Sequence, residues 1–140
     1  MADKLAHISD ESLDVQAVVD LVRSESAGAI DVFIGTVRNS TKGKGVVRLE
    51  FESYDIMAIK EMQKIITQAE AKWPVEKMAI YHRKGVLSIG ETAVVIAVST
   101  PHRKASFEAC QYAIDTLKET VPIWKKEVFK DGEVWVAAHP

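Results

Sequence analysis

A single cysteine, Cys110, is the only thiol in the 140-residue chain. It excludes an internal disulfide and any metal cage built from cysteines, and it suits a reducing compartment. Any sulfur the protein handles is therefore expected to arrive from another molecule. Long apolar runs are also missing. The longest, AVVIAV at 93–98, is far too short to cross a bilayer, and MADKLAHISDESLDV at the start lacks the apolar core of a signal peptide. A cytosolic protein is the expectation. Charge of one sign is absent as well: eighteen basic against twenty acidic residues leave a formal net charge of -2, so no global field recruits nucleic acid or an anionic membrane. Any basic function has to be local. The four histidines, among them His7 and His139 near the termini, show no spacing typical of zinc ligands, and neither a metal nor a cofactor is expected.

No repeat, low-complexity tract or Pro/Gly/Ser-rich linker divides the chain, and one domain over residues 1–140 is expected. In SLDVQAVVDLVRS, Leu13, Val15, Val18, Val19 and Val22 recur at helical spacing, with Ser12 or Asp14 available as cap. GAIDVFIGTVR, apolar on both faces and rich in β-branched residues, reads as a buried strand ending in Arg38. VVRLEFESY reads as its half-buried partner, with Val47, Leu49 and Phe51 on one side and Arg48, Glu50 and Glu52 on the other. NSTKGKG (39–45) between them reads as a mobile loop; it lacks the spacing of a Walker A loop.

A second amphipathic helix runs from an Asp55 cap through Ile59, Met62, Ile66, Ala69 and Trp73 to the stop at Pro74. EKMAIYHRKGVL and TAVVIAVST read as strands around a turn at Gly90, the second central because it is apolar throughout. Thr100 and Pro101 read as the cap and first turn of a third helix, which ends near Glu119 or Thr120 because Pro122 disfavours helical geometry at Val121. Asp131-Gly132 marks a C-terminal hairpin. The sum is an α+β fold with a largely antiparallel sheet and about three helices packed on it.

The chemistry gathers at LKETVPIWKKE (117–127), which holds three lysines around a proline. On a helical projection Phe107, Cys110, Ile114 and Leu117 form a core stripe, and Lys118 leaves about 20° from Phe107, beside apolar neighbours. Desolvation there favours an amine that acts as acid, base or nucleophile; the plainer alternative is a lysine that snorkels past the helix end. Adjacent strand residues point to opposite faces, so at most one of Lys125 and Lys126 can share a pocket with Lys118. His102 and Arg103, in the first turn of the third helix, form either a phosphate site or an ordinary exposed helix start, and Arg38 could add a second fork. Arg103 and Lys118 lie fifteen residues apart on one helix, about 22 Å. A ligand touching both implies a twofold dimer. Cys110 falls on the core stripe and reads as a structural thiol, and His82 and Arg83 as decoration at a strand end.

GAIDVFIGTVRN, LEFESYDIMA, HRKGVLSIGE, STPHRKASFEACQYAIDTLKETVPIWKKE and DGEVW, in this order and spacing, closely resemble the MoaE family, the large catalytic subunit of molybdopterin synthase. The resemblance runs from about Gly28 to Trp135. It implies a hammerhead fold and a sulfurtransferase that converts cyclic pyranopterin monophosphate to molybdopterin. The sulfur comes as a thiocarboxylate on the C-terminal Gly-Gly tail of a small ubiquitin-like subunit. It also implies a homodimer within a heterotetramer, with pockets that draw residues from both large copies. Carried over by position, Lys118 and Lys125 match the essential lysines and Arg38, His102 and Arg103 the substrate-binding residues. Lys126 and Glu127 complete the motif and are expected along the same wall. Many relatives continue past the final hairpin with a further basic segment, whereas this chain stops at Pro140. Without the resemblance, the residues would equally suit a non-catalytic anion-binding adaptor or a lysine-dependent lyase.

Overall fold

The computed structural model describes residues 5–139. In chain order its elements are β1 (Ala6–Ser9), α1 (Val15–Val22), β2 (Ala29–Thr36), β3 (Ser40–Thr41), β4 (Lys44–Ser53), α2 (Asp55–Lys72), β5 (Lys77–Arg83), β6 (Gly85–Ser88), β7 (Thr92–Thr100), α3 (Arg103–Thr120), β8 (Ile123–Phe129) and β9 (Val134–His139). They build two sheets. The first has the order β1-β5-β7-β2, antiparallel except for the β1–β5 pair. The second has the order β3-β4-β8-β9 and is antiparallel, with β6 also paired to β4.

The unbroken apolar run of β7 follows from its position. It lies between β5 and β2 with both faces covered. Ile96 and Val98 face the main core with Met62, Ile66, Ala109 and Ala113, while Val95 and Ala97 face Val18 and Val22 of α1. Helices α2 and α3 pack against each other, and α3 lies on β2 and β7. Truncating a fully buried side chain such as Ile96 to alanine should cost about 2–5 kcal/mol. The Asp14 carboxylate caps α1 by accepting the Ala17 N–H at 3.1 Å. No helix among the described residues is long and apolar enough to cross a membrane.

Several expectations need correction. β2 is an edge strand, and its neighbour is β7 instead of β4. Its apolar residues are not all buried, since Ile30 and Ile34 are 37% and 44% exposed. Strand β4 pairs with β8, and a register shift between Val46 and Arg48 breaks its alternation. This bulge turns Val46 inward and leaves Val47 outside. Residues 39–45 form a hairpin: β3 pairs with the start of β4 across Lys42 and Gly43, whose φ angles of 51° and 82° make the tight turn. Asp55 is the first residue of α2 and Tyr54 its cap. Helix α3 starts at Arg103 with His102 as cap, while the Thr100 hydroxyl donates to the His102 carbonyl at 2.6 Å. On α3 the buried residues are Ser106, Ala109, Cys110, Ala113 and Leu117, and Phe107 is 57% exposed.

Candidate functional site

Where the two sheets meet the C-terminal half of α3, a cavity of about 410 Å³ opens. Its apolar walls come from Phe33, Leu49, Phe51, Val94, Ile114 and Leu117, and its polar lining from Arg38, Thr41, His82, Lys118, Lys125 and Glu127. Local chain geometry explains the gathering. Leu117 is buried in the core and its carbonyl accepts the Val121 N–H, so Lys118 emerges at the last turn beside the cavity. Buried Val121 and Pro122 turn the chain directly into β8, where Lys125 and Glu127, two residues apart, share the cavity face. They pair across the sheet with Phe51 and Leu49. Arg38 enters from just beyond β2 and Thr41 from the β3 hairpin.

Three cations, Arg38, Lys118 and Lys125, face one carboxylate, Glu127. That carboxylate is buried. Its Oε2 accepts the Thr41 hydroxyl at 2.7 Å, and its Oε1 lies 3.7 Å from the Lys125 amine. An apolar floor under an excess of positive charge suits a ligand with an anionic group and a flat or apolar body.

The sequence expectations divide here. Arg38, Lys118, Lys125 and Glu127 come together, and the limit of one pocket lysine from the Lys125–Lys126 pair holds. Lys126 belongs to the opposite face of β8, where its amine lies 3.8 Å from Glu50 Oε1, so it does not line the same wall. His102 and Arg103 are exposed at the other end of α3 and do not touch the cavity. Lys118 is itself exposed, although it lies beside apolar neighbours.

Two polar lining residues were not expected in the site: Thr41 was not singled out, and His82, expected to decorate a strand end, lies within β5 instead. His82 is buried, and its Nδ1–H donates to the Arg83 carbonyl at 2.8 Å, which leaves Nε2 as the ring's acceptor in the neutral form. Its ring meets Phe51 nearly edge-on, with centroids 5.2 Å apart. The signal was the two-residue alternation of β5, which places His82 on the buried face with Met78 and Ile80. Thr41 carried no signal, because its contact is with a residue 86 positions away.

Cys110 is buried, and burial together with the nearby Asp31 carboxylate pushes its thiol up to about 12. It is a structural thiol, unfit to be a nucleophile. Among the described residues no group of three or more His, Cys, Asp or Glu could hold a metal. A larger, shallower depression of about 780 Å³ lies beside the start of α2, lined by Tyr54, Ile56 and Met57 and lacking the arginine and paired lysines of the smaller cavity.

Known proteins resemble this chain in sequence and fold. A sequence model described as MoaE protein matches residues 8–120, which includes Arg38 and Lys118 and stops short of Lys125. The molybdopterin synthase catalytic subunit of Bacillus subtilis is 51% identical over 129 residues, covering 92% of this chain and 82% of that protein. A crystal structure of molybdopterin synthase from Staphylococcus aureus superposes with a TM-score of 0.91 at 40% identity, covering 96% of this chain and 98% of that one. The fold also recurs, with a TM-score of 0.76 and 23% identity over 94% of this chain and 88% of that one, in a protein-protein complex of subunits 1 and 2 of molybdopterin-converting factor from Helicobacter pylori. A cation-lined cavity on this scaffold, together with these likenesses over nearly the whole chain, leads to one assignment: the chain belongs to the MoaE family.

Proposed function

We propose that the chain is the catalytic subunit of a cytosolic molybdopterin synthase, and that its cavity is one half of a sulfur-transfer site completed by a second copy. The observation that carries this reading is the convergence of Arg38, Lys118 and Lys125 on an apolar-floored cavity with a single carboxylate to offset them. Cyclic pyranopterin monophosphate has the matching chemistry, a flat ring system with an anionic phosphate. The two sulfurs come from the thiocarboxylated Gly-Gly tail of a small ubiquitin-like subunit, since the chain's own thiol is buried and protonated. Each tail carries one sulfur, so two tails are used per product.

Arg38, with His102 and Arg103 of the second copy, holds the phosphate and offsets its charge. Lys118 orients the thiocarboxylate and moves protons during its attack on the substrate side chain. Lys125 stabilises the negative charge that develops in that attack, and Glu127 sets its environment.

The second copy docks along β2. This strand ends its sheet, with exposed Ile30 and Ile34 on it and exposed Phe107 on the helix beside it. Two β2 strands meeting antiparallel about a twofold axis bring the start of one beside the end of the other. Ala29 pairs with Thr100, near the start of α3, whereas Thr36 leads to Arg38 and the cavity. Eight residues of strand span about 23 Å, which matches the ~22 Å between Arg103 and Lys118 along α3. The twofold therefore delivers His102 and Arg103 to the partner's cavity. With a small subunit on each copy, the assembly is a heterotetramer.

The test mixes the chain with thiocarboxylated small subunit and cyclic pyranopterin monophosphate and follows dithiolene product. Product in amounts set by the thiocarboxylate supplied is the expected result. Failure to form product with all three components folded and mixed would sink the reading.

A further inference from the structure

Glu127 is in an unusual position for a buried carboxylate. It is surrounded by cations, yet its Oε1 stays 3.7 Å from the nearest amine for which an ion pair is seen, that of Lys125. A charge-assisted N–H···O bond closes to about 2.7–2.9 Å. The carboxylate is held back by its other oxygen, which accepts the Thr41 hydroxyl at 2.7 Å.

Thr41 is well placed to act as a tether. It is the last residue of β3, immediately before the tight turn at Lys42 and Gly43, and its branched side chain has few χ1 choices. The hairpin that carries it is tied to the β8–β9 end of the sheet. The Gly45 carbonyl accepts the Lys130 N–H at 2.9 Å, and the Lys44 amine pairs with Asp131 at 3.4 Å and with Glu133. The hydroxyl is thus fixed relative to β8, the strand that carries both Lys125 and Glu127.

We infer that Thr41 is a positioning residue: its hydroxyl tethers the Glu127 carboxylate so that the Lys125 amine keeps its donors available for the ligand. This rests on the sulfur-transfer reading only for what the freed amine does, not for the tether itself. Without the hydroxyl, the carboxylate turns, closes on Lys125 and cancels part of the positive charge facing the cavity.

Thr41→Val removes the hydroxyl and retains the branched shape that suits a strand, while Thr41→Ser restores the hydroxyl on a smaller side chain. The first readout needs neither substrate nor partner. Both folded variants are briefly acetylated, and Lys125 modification is compared by mass spectrometry with that of Lys126 on the opposite face. Thr41→Val should lower the Lys125:Lys126 ratio by about threefold or more, because a directly paired amine is a poorer nucleophile, and Thr41→Ser should return it to the wild-type value. The second readout is synthase turnover: kcat about tenfold lower in Thr41→Val with KM for the pterin within about twofold, and recovery in Thr41→Ser. An unchanged labelling ratio in Thr41→Val, or a serine variant that behaves like valine, overturns the tether. Altered labelling with unchanged kcat overturns its part in turnover. If the wild-type protein itself makes no product, the functional reading falls while the labelling ratio still decides the tether.

Discussion

The two ends of α3 carry similar charges in opposite settings. At its C-terminal end Lys118 joins Arg38, Lys125 and Glu127 around a cavity walled by the core. At its N-terminal end His102 and Arg103 are exposed and do not touch that cavity. The difference shows that cations are assembled in two ways. One end is organised by contacts within the chain, through the short Val121-Pro122 connection to β8; the other, in the proposed assembly, meets the second copy. Ile30, Ile34 and Phe107 are exposed, and the proposed twofold lies along them.

The comparison can be broken most severely at its organised end. Lys118→Ala should lower dithiolene product formation by about a hundredfold or more, the usual scale for losing a proton-transferring group. Its melting temperature should stay close to wild type, because the residue is exposed at a helix end. Equal product yield in the variant would remove Lys118 from the mechanism. Ile34→Lys attacks the link between the ends by placing like charges near the proposed twofold. Sedimentation should show a monomer, with turnover down by about tenfold or more because each cavity loses its borrowed cations. A dimer that survives this change docks elsewhere.

A milder test sharpens the comparison. Arg103→Ala should raise KM for the pterin by about tenfold through a lost charge-assisted contact. Assayed at pterin well below the wild-type KM, where Arg103→Ala alone keeps about a tenth of wild-type activity, co-refolding Arg103→Ala with Lys118→Ala chains should raise activity to about a quarter of wild type. Half of the dimers are mixed, and each mixed dimer carries one intact site of two. Absence of complementation would mean that the two ends do not serve one site. The smallest effect belongs to Cys110, which the cavity does not use. The folded protein should resist alkylation near neutral pH and react once unfolded, with turnover of Cys110→Ala within about twofold of wild type. Because burial raises the thiol from 9.0 to about 12, the fold favours the protonated form. That contribution to stability is complete below pH 9 and declines as pH rises from 9 towards 12, which alkaline melting curves of wild type and Cys110→Ala can compare.

Much of the fold was legible because periodicity reports which face of an element is buried. The apolar spacing of α1 and α2 and the unbroken run of β7 gave helices and a central strand that the structure contains. Periodicity does not report what does the covering. β2 reads as buried because it is apolar on both faces, yet among the described residues it is an edge strand whose one neighbour in the sheet is β7. Phe107 was misjudged for the same reason. The Val47 bulge and the β3 hairpin were missed because a register shift and a two-residue turn depend on what the neighbouring strand does.

In the site, local sequence alone determined a good deal. Leu117 buried in a helix obliges Lys118 to emerge at its last turn, Pro122 obliges the chain to leave the helix, and strand alternation obliges Lys125 and Lys126 to part. Helix length alone separated Arg103 from Lys118. Only the tertiary structure decided that Lys125 is the inward lysine, that Arg38 joins it, and that Thr41 and His82 belong to the same cavity. Those facts depend on through-space meetings between residues distant in sequence, such as Thr41 with Glu127. Such meetings are set by how whole sheets pack, and no local spacing records them.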